Sequence, residues 1–159
     1  MRTIQDVLAQ SDETKFAIAL SELVNAREAS AGYETLSHAE QVALCVDGLE
    51  REVNNGGFQQ YFFSSAGDHA LDCVDALDEI GGVQIAELLR RALRIFAPGG
   101  PDPDREERIL QLEALGDDVA PRLEALDDAF FGYPDGLAPL LRAFVAANAA
   151  AFEAVDEQP

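Results

Sequence analysis

Apolar residues recur at helical spacing along almost the whole chain, and caps and breakers divide the pattern into segments. Thr3 is placed to cap a short first helix ending at Leu8. Ser11 or Asp12 caps a second, with Phe16, Ala19, Leu20 and Leu23 as its inner face. Gly32 and Tyr33 interrupt the pattern. Ser37-His-Ala-Glu40 is a capping box, in which the Ser hydroxyl accepts from the third residue's N–H and the Glu reaches back. The helix it starts buries Val42, Cys45, Val46, Leu49 and Val53, and Asn54-Asn55-Gly56-Gly57 stops it. A short aromatic segment, Phe58 to Phe63, precedes a turn over Ser64–Gly67. Asp68 reads as the N-cap of a helix that ends at Gly81-Gly82. Val83–Phe96 forms the next, with Ile85, Leu88, Leu89, Ala92 and Ile95 inward.

The segment Ala97–Pro103 is the one strong breaker cluster. It is short for a linker and reads as a loop within one domain. Helices are expected over Asp104–Leu115, Val119–Phe131 and Gly136–Val155, the last favoured by its Ala-rich stretch Ala143–Ala151. The tail Asp156–Pro159 is expected to fray. No segment alternates as a strand does, and no internal repeat is visible. The pattern predicts an all-α, single-domain bundle of six to eight helices spanning residues 1–159.

Charge changes this picture most. Thirty Asp and Glu against eleven Lys and Arg give a formal net charge of −19 in 159 residues. The chain is 48% hydrophobic, so the acidity does not mean disorder. A globule of this length is roughly 40 Å across. Nineteen charges over that span approach the one per ~1.7 Å of duplex DNA. Such a surface repels nucleic acid and anionic membranes and attracts basic partners. No run approaches the roughly 18 apolar residues of a membrane span. Met1–Gln10 has one Arg and no apolar stretch of signal-peptide type, so a cytoplasmic location is expected. Cys45 and Cys73 sit in apolar helical patterns and read as buried thiols.

Two acidic regions stand out. Asp68, Asp72, Asp75 and Glu79 are spaced four, three and four apart, which aligns them along one helix face with no basic residue between. The stripe is either a solvated face or an anionic ridge for a basic groove. The second region runs from Asp102 to Asp128 and includes the pairs Asp117-Asp118 and Asp127-Asp128, which have no obvious counterion. Asp104 and Arg108, by contrast, are spaced as an ordinary surface pair. Arg90, Arg91 and Arg94 read as partners for acids on neighbouring helices. Nothing in the spacing selects a catalytic carboxylate pair. Neither His38 nor His69 lies three residues after a Glu, as a di-iron bundle requires. Asp68-His69 with Asp72-Cys73 clusters possible metal ligands, but capping is the simpler role for Asp68. Ser64 and Ser65 lack a local base. No catalytic residue, metal or cofactor is expected.

The most distinctive string runs from Glu52 to Asp68, EVNNGGFQQYFFSSAGD. It resembles the signature of a bacterial helical family of DNA-mimic type, long listed as a domain of unknown function. The likeness continues through Asp75–Gly81, Ala86–Ala92, Pro103–Arg108 and Leu126–Phe131, so it covers about Ser37 to Val145. The family's named member occupies the DNA-binding surface of a helix-turn-helix transcription factor. The resemblance implies a non-enzymatic protein that binds such a factor, or another basic DNA-binding protein, through carboxylates in place of phosphates. The acids expected to do so are Asp68, Asp72, Asp75, Glu79, Asp117, Asp118, Asp127 and Asp128. Asn55, Gly56, Gly57, Phe58 and Tyr61 are expected to serve the fold. Three alternatives remain open: an immunity or antitoxin protein against a basic nuclease, a ligand-binding or enzymatic domain built on the Asn54–Tyr61 turn, and a module whose acidity serves solubility. The aromatics Tyr61–Phe63 and Phe130-Phe131 are expected in the core, or to mediate homodimerisation where one is exposed.

Overall fold

The computed structural model describes residues 1–156, so the last three of the four tail residues expected to fray lie outside the described residues. These form eight α-helices and three short 3₁₀ turns, with one isolated bridge pair, Arg2 with Val155, as the sole extended pairing among them. The fold is all-α. The helices are α1 (Ile4–Leu8), α2 (Glu13–Ala31), α3 (His38–Phe63), α4 (Ala70–Ile80), α5 (Val83–Arg94), α6 (Arg105–Ala114), α7 (Val119–Phe131) and α8 (Leu137–Ala147). By chain contacts they divide into two compact units, Met1–Asp47 with Gly136–Pro159, and Gly48–Asp135. The boundary falls within α3.

In the first unit α1, α2 and α8 pack on one another, around Ile4, Val7, Phe16, Leu20, Leu23, Leu141 and Val145. Thr3 and Asp6 form a reciprocal capping box, and Asp12 caps α2 by accepting from Lys15 N–H at 2.9 Å. Ser37 and Glu40 form the expected box as well, with bonds of 3.1 and 3.0 Å. Glu40 does more than cap. It is only 1% exposed, and it accepts from Arg27 Nε at 2.8 Å and from the Glu153 N–H at 3.3 Å. Burial pushes its carboxyl up, but the Arg27 bond and charge and the two backbone N–H groups outweigh that and hold it below the ordinary carboxylate range.

The helix expected over Gly136–Val155 is shorter than its Ala content implies. It ends at Ala147, where Asn148 leaves the helical region (φ −120°, ψ 21°) and its amide donates back to Phe144 O at 2.8 Å. Ser37 Oγ then binds Ala151 O at 2.8 Å, and Arg2 and Val155 exchange backbone bonds of 2.8 and 3.0 Å. Tertiary hydrogen bonds override alanine's propensity here.

In the second unit α4, α5 and α7 pack in sequence, with α5 against both others. Gly81 adopts the left-handed conformation (φ 92°), and Gly82 N–H reaches Leu77 O at 2.7 Å, closing the α4–α5 corner. The core is partly aromatic. Phe58 meets Phe130 edge-on at 6.0 Å, and Phe62 meets Phe96 at 4.8 Å. Tyr61, Phe62 and Phe130 are buried, whereas Phe63 and Phe131 are both exposed. Cys45 in the first unit and Cys73 in the second are buried thiols.

Candidate functional site

The second unit carries most of the charge. Residues 48–135 hold 19 acids and seven arginines, a formal charge of −12, against −7 (11 acids, four cations) for the rest of the chain. On α4 the amphipathic spacing resolves as expected, with Cys73, Leu77 and Ile80 buried and Asp72, Asp75 and Glu79 exposed along the opposite side. Asp117 and Asp118 are exposed just before α7, and Asp128 is exposed on α7 itself. Since α4 and α7 both pack on α5, these six carboxylates ride on or beside helices that flank a common element.

The remaining two acids have internal duties. Asp68 is not an N-cap. It lies in the 3₁₀ turn Ser65–His69, and the N-cap of α4 is His69, whose side chain makes no capping bond. Asp68 Oδ1 instead accepts from Arg108 Nη2 at 2.8 Å. Arg108 is likewise not the surface partner of Asp104, which caps α6 by accepting from Glu107 N–H at 3.2 Å. The Arg108 side chain is 0% exposed. Nε donates to Phe62 O at 2.6 Å, Nη1 to Asp102 O at 2.9 Å and Pro103 O at 3.2 Å, and Nη2 to Ser64 O at 2.8 Å as well as to Asp68. All five N–H groups are therefore used, which is what makes burial of a guanidinium tolerable. Gly67 makes room for it, since a Cβ there would lie 2.8 Å from Tyr61 O and 3.0 Å from Arg108 Nε.

Sequence spacing did contain a signal for Arg108. It shares the inward line of α6 with Gln111, Leu112 and Leu115. A cation on that line, read by periodicity rather than by its nearest acid, is an internal one.

Asp127 turns inward too. Its Oδ1 accepts from Phe58 N–H at 2.7 Å. That N–H opens the aromatic half of α3, immediately after the helix breaks at Gly56 and Gly57. Asp127 is thus an N-cap supplied from 69 residues away. Gly57 is required twice over, because its φ is +79° and a Cβ would fall 2.7 Å from Asp127 Cγ. Burial raises the Asp127 carboxyl above the ordinary range; the Phe58 bond opposes that, and neighbouring Asp128 and Glu124 add to it. At the same turn Tyr133, in a left-handed conformation at φ 48°, donates its hydroxyl to Asn54 Oδ1 at 3.0 Å. Asn55 and Gly56 are exposed, and Phe58 and Tyr61 are buried. The inner side of the Asn54–Tyr61 turn is filled by the Asp127 carboxylate.

Of the α5 arginines Arg90 pairs with a neighbouring helix as expected, whereas Arg91 and Arg94 instead share Glu87 of their own helix. Arg90 bonds Asp78 of α4, and Arg90, Arg91 and Arg94 approach Glu87 at 3.8, 3.6 and 3.6 Å. Among the described residues no group of three or more His, Cys, Asp or Glu is arranged to hold a metal ion, and no helix is long and apolar enough to cross a membrane.

The family model described as DMP19-like protein matches residues 34–148. The chain belongs to the DMP19-like family. This is a DNA-mimic family, and its match spans both the Asn54–Gly57 turn and the Asp127 that caps it. No curated protein and no solved structure matches the chain. The DMP19-like segment thus contains all eight acids expected at the surface, six of them exposed and two turned to internal partners.

Proposed function

We propose that this DMP19-like chain binds a basic DNA-binding protein, of helix-turn-helix transcription-factor type, and does so without catalysis. In this reading Asp72, Asp75 and Glu79 of α4, with Asp117 and Asp118 just before α7 and Asp128 on it, take the part that phosphates play on a duplex. The observation that carries this reading is the set of six exposed carboxylates on a family-matched unit of charge −12. Carboxylates accept the same charge-assisted bonds from Arg and Lys that phosphates do. Asp127, turned inward to Phe58 N–H, contributes field rather than a direct contact, whereas Asp68 is held by Arg108 through Oδ1 and keeps 35% of its side chain in solvent.

The test is capture of the partner from a lysate of the source cells on the immobilised protein, elution in salt steps, identification by mass spectrometry, and competition with duplex DNA. A basic helix-turn-helix protein that duplex DNA displaces supports the reading, and its affinity should fall linearly with log salt. Asp72→Lys with Asp75→Lys should weaken it at least tenfold, about 1.4 kcal/mol. Undiminished binding in the presence of saturating DNA refutes mimicry. Capture of a nuclease instead would favour an immunity-type inhibitor.

A further inference from the structure

Beside the α4 stripe lies a cleft of about 160 Å³ whose lining includes Gly67, Asp68, Leu71, Asp72, Pro101 and Pro103. It is smaller than the roughly 300–1,000 Å³ of small-molecule sites and is sized for one long side chain. Its walls are apolar, formed by Leu71, which is 66% exposed, and by the two prolines. Asp68 and Asp72 bring carboxylates to the lining, which also includes the His69 imidazole. An occupant must therefore carry an apolar stem and a cationic head, as Arg and Lys do.

The cleft is also rigidly built. One buried guanidinium holds both of its sides, since Arg108 bonds Asp68 on one and the carbonyls of Asp102 and Pro103 on the other. Arg108 occupies Asp68 Oδ1, and that carboxylate remains 35% exposed toward solvent. The rim carboxylate is thus fixed before any partner arrives, and little ordering entropy is lost on binding.

We propose that this cleft receives a single arginine side chain of the basic partner. This deepens the function proposed above and rests on it. Arginine is favoured over lysine because its weakly hydrated head tolerates the apolar lining of Leu71, Pro101 and Pro103 and offers a planar fork to a carboxylate such as Asp72. The cleft adds to a diffuse anionic surface one position that reads side-chain shape.

The experiment is an amide-shift NMR titration of the full chain, at low salt, with capped glycine-flanked peptides carrying arginine, lysine or citrulline. The arginine peptide should shift Gly67, Asp68, Leu71, Asp72 and Asp102, while citrulline leaves them in place and lysine binds several-fold more weakly. Asp72→Asn and Leu71→Ala should each weaken it roughly three- to five-fold, the scale of one surface pair or a few apolar groups. Asp75→Asn, in the stripe but outside the cleft, should leave it within a factor of two. Both Asp72 and Leu71 are exposed, and an unchanged amide spectrum outside the cleft shows that each variant keeps the fold. Shifts spread evenly over all acidic helices, equal weakening by Asp75→Asn, parity of lysine with arginine, or no shifts at all would each overturn the proposal. DNA competition with the whole partner is scored separately: if it holds while the peptide maps elsewhere, the cleft is lost and the mimic is kept.

Discussion

Replacing Arg108 by Met keeps most of the apolar stem and removes five donors. Four backbone carbonyls, of Phe62, Ser64, Asp102 and Pro103, and the Asp68 carboxylate lose their partner. Each orphaned buried acceptor costs about 1–3 kcal/mol, but the Asp68 side is open to water, so the sum overstates the loss. Removing one member of a buried ion pair costs roughly 3–5 kcal/mol, and we expect Arg108→Met to fall in that range. Arg108→Lys restores a charge near Asp68 but replaces a flat five-donor fork by a point charge, so it should recover less than half. The assay is urea unfolding followed by circular dichroism, with hydrogen exchange by residue to locate the loss. With a slope of about 2 kcal/mol/M, the Met variant's midpoint should drop by roughly 2 M. Exchange should rise first at 62–68 and 101–103. A loss below about 1 kcal/mol would refute the view of Arg108 as the brace of this corner, since ordinary surface changes fall within that range.

Two further outcomes follow from the buried carboxylates. Asp127→Ala leaves the Phe58 N–H uncapped and should cost about 1–2 kcal/mol in thermal unfolding, whereas Asp127→Asn keeps an acceptor and should cost little at neutral pH. Because the folded state raises the Asp127 pKa, its favourable contribution is present below the ordinary value of 3.8 and fades as pH rises through the folded value, so any advantage of the Asn variant should grow over that rise. Glu40 has the opposite sign. Its pKa is lowered, so its stabilisation is present above the ordinary 4.5 and is lost as pH falls through the folded value. Glu40→Gln should cost roughly 2–3 kcal/mol at pH 7, with the gap to the parent protein closing in acid; a gap that does not change with pH would contradict the Arg27 pairing.

What the sequence made legible was local. The Thr3 cap, the Ser37 capping box, the Gly81-Gly82 corner and the full span Val119–Phe131 depend on residues within a turn or two of each other, and they form as spacing predicts. Asp68 and Asp127 looked like members of two surface rows because their neighbours in sequence are acids. Their real partners lie 40 and 69 residues away, a separation that no period encodes. The shorter α8 has the same origin, since Ser37 and Arg2 reach across the chain to end what alanine would continue. The acids that remained at the surface were legible from amphipathic spacing alone, as on α4. The use by a partner proposed above is a property of two molecules, and the expectation of it came from the charge and the family resemblance rather than from spacing.

The three arginines clustered about Glu87 give the second unit a corner of opposite sign. Arg91 and Arg94 keep more than half of their side-chain surface in solvent. A body charged alike on every side would attract a cationic protein from all directions and hold it in none. A body with one positive corner behaves as a compass needle in the partner's field and turns before the two surfaces meet. Duplex DNA, uniform along its length, lets its readers slide; a unit with a cationic corner among its acids would give a bound reader, under the function proposed above, one orientation rather than a track.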